Sequence, residues 1–104
     1  MNANQAHHNF TSEVIQFVSA SARQRLMLIA QGKSKSTNPK LYDIANGLLF
    51  DIKQVVSDLQ AAKFIQDRSA DINELIPKMQ CKTVQSRIMK FHKLQETSKS
   101  LLSC

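Results

Sequence analysis

The sequence predicts an all-α protein, and three observations carry that reading. Gly 2 and Pro 2 in 104 residues are too few punctuating residues for strands and tight turns, but enough for long helices. Apolar residues recur at spacings of three and four, without the period-two alternation of a strand. A composition of 42% hydrophobic and 21% charged residues belongs to a chain that folds rather than to a disordered one. At this length a single domain over 1–104 is expected, burying roughly 65% of its unfolded surface.

Residues 1–10, MNANQAHHNF, read as a disordered tail with neither the basic start nor the apolar run of a secretory leader. The first helix is expected over 11–31. Thr11 or Ser12 caps it, Glu13 suits the positive end of its dipole, and Gly32 stops it. Its buried stripe reads Ile15, Val18, Ala22, Leu26 and Ile29, widened by Phe17, Met27 and Leu28.

The second helix is expected over 39–76. Asn38 can cap it, and Pro39 suits a first position whose N–H would go unused. Leu41, Ala45, Leu48, Ile52, Val55, Leu59 and Ala62 then form an unbroken heptad seam. Gln66 and Ser69 hold the continuing positions, so a break near Asp67–Asp71 is the alternative to one continuous helix, which is preferred. Gly47 suggests a close helix crossing, and Ile76, before Pro77, marks the end.

A third helix over 77–102 carries Cys81, Val84, Ile88, Phe91, Gln95, Ser98 and Leu102, a seam whose apolar quality fades after Phe91. Together these give an antiparallel bundle of three long helices with coiled-coil-like heptad seams. Leu41, Ile44, Leu48, Leu49, Ile52, Val55, Val56 and Leu59 fill about 160° of the wheel, which makes the second helix central.

No catalytic chemistry is legible. The chain has no Gly-rich phosphate loop, nucleophile elbow or HExxH. His7 and His8 are adjacent and lack partners at metal-ligand spacing, and His92 reads as a surface residue. Cys81 reads as a small buried hydrophobe and Cys104 as an exposed terminal thiol. Asn9-Phe10-Thr11 matches a glycosylation sequon by chance. The expectation is a non-enzyme with no catalytic residue, metal, cofactor or small-molecule substrate. No motif singles out a family. No run approaches the ~20 apolar residues of a membrane span, so a soluble cytoplasmic protein is expected.

Charge and leftover apolar surface supply the functional reading. Formal charge is +6 overall, and it is uneven. Basic against acidic residues number four to one in 1–37, four to six in 38–77 and six to one in 78–104. Lys78, Lys82, Lys90 and Lys93 gather on one face of the third helix. No aromatic residue interleaves with them, so phosphate attraction without sequence preference is the most they support. Off the apolar stripes lie Phe50, Phe64 and Ile65 on the second helix, and Met89 and Leu94 on the third. These five are the expected partner-binding residues of a small helical interaction protein: an adaptor, chaperone or complex subunit that packs helices with itself or a partner. The alternative is a binder of nucleic acid or anionic surfaces through the four lysines.

Overall fold

A computed structural model describes the backbone of residues 3–32, 40–76 and 82–103, and the side chains among them from Phe10 onward, except those of Lys82 and Thr83. The all-α expectation holds: the described residues contain five helices and no strand. They are α1 (Ala3–Ala30), α2 (Leu41–Ile52), α3 (Asp58–Asp67), α4 (Ser69–Leu75) and α5 (Lys82–Leu102).

The 28 residues of α1 span about 42 Å at helical rise, which sets the 44 Å long axis of the molecule. The helix begins at Ala3 rather than Thr11, so it takes in most of the segment read as a tail, and Phe10 is buried. It stops where expected. Gly32 adopts φ 69, a left-handed conformation that costs glycine little, while the Gln31 and Gly32 amides bond back to Met27 and Ile29. The buried face of α1 is Phe10, Val14, Phe17, Val18, Ser21, Ala22 and Arg25, whereas Ile15, Leu26 and Ile29 are half-buried beside it. The true stripe is rotated from the expected one because two of its members, Ser21 and Arg25, are polar.

The continuous helix expected over 39–76 is three helices. The first break follows Ile52, where Gln54 and Val55 bond to the carbonyls of Asp51 and Ile52 and the helix closes. Ser57 opens α3 in an extended conformation (φ −142, ψ 162), and its Oγ accepts from the Gln60 amide at 3.2 Å. Gln60 Oε1 in turn accepts from the Val56 amide at 2.8 Å. Ser57-Asp58-Leu59-Gln60 is therefore a capping box whose returning bond reaches one residue upstream of the cap. A second, milder break falls at Arg68 (φ −108, ψ 18). Helical bonds cross it from Arg68 to Phe64 and from Ile72 to Arg68, so α3 and α4 meet at a kink. Ile76 is extended at ψ 119, as the residue before a proline prefers. The Asn38–Pro39 start and Cys81 lie outside the described residues.

The breaks reset helical phase, and that changes the core. Leu41, Ala45, Leu48, Ile52, Val55 and Ala62 of the expected seam are buried, but Leu59 is 61% exposed. α3 instead buries Ala61, Ala62 and Ile65. With two alanines on its inner side, α3 packs closely against both α5 and α1, while α1 also lies along α2 and touches α4. Gly47 marks no close crossing: a Cβ there would meet nothing within 4 Å. On α5 the buried residues are Val84, Phe91, Leu94 and Ser98, with Ile88 partly exposed at 41%. Leu94, off the expected seam, belongs to the core.

Arg25 ties the two ends of this arrangement together. Its Nε donates to the Leu75 carbonyl at 3.2 Å and its Nη2 reaches the Glu74 carbonyl at 3.4 Å. A helix end leaves such carbonyls without partners, so an α1 side chain caps the C-terminus of α4. Burial pushes the Arg25 pKa down, and Glu74 partly opposes that shift. Arginine nevertheless remains protonated at physiological pH. Its burial penalty is thus constant there and introduces no pH transition.

Two predictions follow from this packing. Ile65→Ala and Leu94→Ala should each lower unfolding stability by about 2–5 kcal/mol, whereas Phe50→Ala should change it by no more than ~0.5 kcal/mol. Urea denaturation followed by circular dichroism separates them, and equal losses at all three would place Phe50 in the core. Ser57→Ala should cost about 1 kcal/mol, and Ser57→Asp should restore most of it in the same assay.

Candidate functional site

The five side chains singled out as partner-binding do not form one surface. Ile65 and Leu94 are 0% and 3% exposed, which removes them from any free face. Phe64 is half-buried and packs on the core from outside. Its ring lies 5.5 Å from the Arg68 guanidinium carbon. Only Phe50 and Met89, 67% and 62% exposed, lie open, one on α2 and the other on α5. Ile65 turns inward because the break at 53–57 gives α3 a helical phase of its own. Leu94 turns inward because the buried face of α5 runs through Val84, Phe91, Leu94 and Ser98 rather than through Ile88 and Gln95.

What the fold leaves open instead is the turn between α2 and α3. Val56 within it is 78% exposed, Leu59 on the first turn of α3 is 61% exposed, and Phe50 stands one turn before it. A capping box is commonly joined by a hydrophobic staple, in which the residue before the cap packs onto the first full turn of the helix. Val56 occupies that position and stays in solvent. The turn is held from behind by polar contacts. Arg68 Nη2 meets Asp51 Oδ2 at 2.5 Å, linking the end of α2 to the α3–α4 kink, while its guanidinium also covers Phe64. The Thr11 hydroxyl donates to the Asp58 carboxylate, fixing the start of α3 to α1. These supports hold the turn while Val55 within it is buried and Val56 and Leu59 stay uncovered. The sequence signal for this surface was Ser57 followed three residues later by Gln60.

A second feature lies between α1 and α5. Glu13 pairs with Lys90 at 3.6 Å, Phe17 stacks on Phe91 with centroids 5.8 Å apart, and Arg87 Nη1 donates to Ser21 Oγ at 3.3 Å. The two backbones are joined here through long side chains rather than by close approach. The space this leaves is an open groove of about 380 Å³. Glu13, Gln16, Phe17 and Ala20 line its α1 side, facing Ser86, Arg87 and Lys90 of α5. Burial pushes the Arg87 pKa down, although, like Arg25, it stays charged.

The lysine strip proposed for anionic partners is only partly described. Lys78 lies outside the described residues, and Lys82 is described by its backbone alone. Lys90 and Lys93 are exposed, and Lys90 already faces Glu13. Among the described residues no group of His, Cys, Asp and Glu could hold a metal ion, and no helix is long and apolar enough to cross a membrane. His92 is exposed. In comparisons with protein-family models, with curated proteins and with solved structures, nothing matches this chain.

Proposed function

We propose that this protein is a small helical interaction protein, an adaptor or complex subunit without catalytic activity, that docks a partner on the α2–α3 turn. The observation carrying this reading is that Phe50, Val56 and Leu59 are each more than 60% exposed within ten residues of chain that flank one turn. Single exposed apolar side chains are ordinary, but several together on one fixed turn form the kind of surface that association covers. The turn's position supports the reading as well. It is braced from inside by Asp51, Arg68 and Thr11, so docking would demand little ordering of the chain. Met89 is a separate exposed residue on α5.

Sedimentation velocity over a concentration series, paired with capture from extracts of the native host, tests the proposal. A Phe50→Asp, Leu59→Asp variant should lose the self-association or the captured partner while its melting temperature stays within about 4 °C of the parent. Association that survives the double substitution would remove the turn from the interface.

A further inference from the structure

Arg87 occupies an unusual position in the α1/α5 groove. One of its nitrogens donates to the hydroxyl of Ser21, a side chain with no solvent exposure, so the guanidinium is drawn into the interface between the helices. Ser21 is neutral, and among the described residues no carboxylate lies within ion-pair distance of Arg87. Burial has already stripped some of its water, as its depressed pKa reflects. A guanidinium has five N–H donors in a planar fork, and the Ser21 contact uses one. Lys90 follows three residues later and lines the same groove, the spacing that puts two side chains on one helix face. Glu13 offsets one of these charges, leaving the lining with a single net positive charge. Beneath them the floor is apolar. Phe17 and Ala20 supply it from α1, and Phe91 holds the Phe17 ring from behind.

We propose that this groove binds a small organic monocarboxylate carrying an aromatic or branched aliphatic body. The carboxylate sits on the free edge of Arg87, assisted by Lys90, and the body lies over Phe17 and Ala20. A planar carboxylate matches the fork of an arginine. A dianionic phosphate would be only half neutralised by a lining whose net charge, Glu13 included, is a single positive one. The groove volume of about 380 Å³ falls at the lower end of the range for small-ligand sites, which suits a body of one ring.

Titration of the full-length ¹⁵N-labelled chain with phenylacetate, phenylacetamide and acetate at pH 7 tests this. Phenylacetate should produce saturable shifts at the amides of Phe17, Ser21, Arg87 and Lys90, with a dissociation constant of about 1 mM or tighter. Phenylacetamide lacks the charge and acetate lacks the body, so each should bind roughly tenfold more weakly or worse. Arg87→Gln should abolish the preference for the acid over the amide. Glu13→Gln, at an exposed position, should tighten phenylacetate binding several-fold by removing the competing carboxylate. Absence of saturable shifts, or equal binding of acid and amide, would overturn the proposal. So would a Glu13→Gln variant with unchanged or weaker affinity, even if Arg87→Gln failed to fold.

Discussion

The architecture turns on the break between α2 and α3, which the side-chain hydrogen bonds of Ser57 and Gln60 cap. The seam from Leu41 to Ala62 keeps a heptad rhythm and would by itself sustain one helix. A side-chain cap competes with that because it satisfies amides that would otherwise need a preceding helical turn. Once the helix is broken, α3 no longer inherits the phase of α2. Ile65 then turns inward, Leu59 turns outward, and Ala61 joins Ala62 against the core. Those two alanines let α3 lie against both α1 and α5, the longest helices of the fold. A straight helix would have carried residues 58–67 away from the core in line with α2.

Much of this was legible in the sequence, and what was not has identifiable physical causes. The fold class, the Gly32 stop, the break before Pro77 and the inward side of α2 all came from strong local signals. A polar residue in an inward position gives no such signal. Ser21 and Arg25 are such residues, and only the Leu75 and Glu74 carbonyls, about fifty residues on, explain the inward arginine. Ser98 is fully buried too, and its hydroxyl bonds back to the Leu94 carbonyl at 2.6 Å, which satisfies it without any distant partner. The capping box was present in the sequence, but an apolar rhythm continuing across it outweighed a two-residue polar pattern. The α1/α5 groove was not legible at all, because it depends on the separation of two helices rather than on the pattern of either.

The basic excess divides between two chemistries. Three arginines serve the fold: Arg25 caps α4, Arg68 braces the turn between Asp51 and Phe64, and Arg87 enters the α1/α5 interface through Ser21. Arginine suits such places because its donors are planar and its charge is weakly hydrated. Lys53, Lys63, Lys93 and Lys99 are exposed instead. Formal charge therefore overstates the cationic surface offered to a nucleic acid or lipid face, since much of its guanidinium share points inward. This is why the lysine strip of α5 supports a weaker functional reading than the apolar turn does.

The exposed turn and the stability of α3 are linked through the missing staple. The cap on α3 rests on polar bonds at the surface, where water competes and each contributes only about 1 kcal/mol. The apolar contact that ordinarily reinforces such a cap is absent because Val56 faces solvent. A partner covering Val56 and Leu59 would supply that contact from outside and would shield the Ser57 and Gln60 bonds from water. Binding at the turn would then stabilise α3 itself, and through Ile65 the core that α1 and α5 share with it. On the proposed reading the turn is both the docking surface and a helix start whose cap lacks its apolar reinforcement. Occupancy there should consequently be felt as added resistance to unfolding by the whole domain, in proportion to the logarithm of partner concentration.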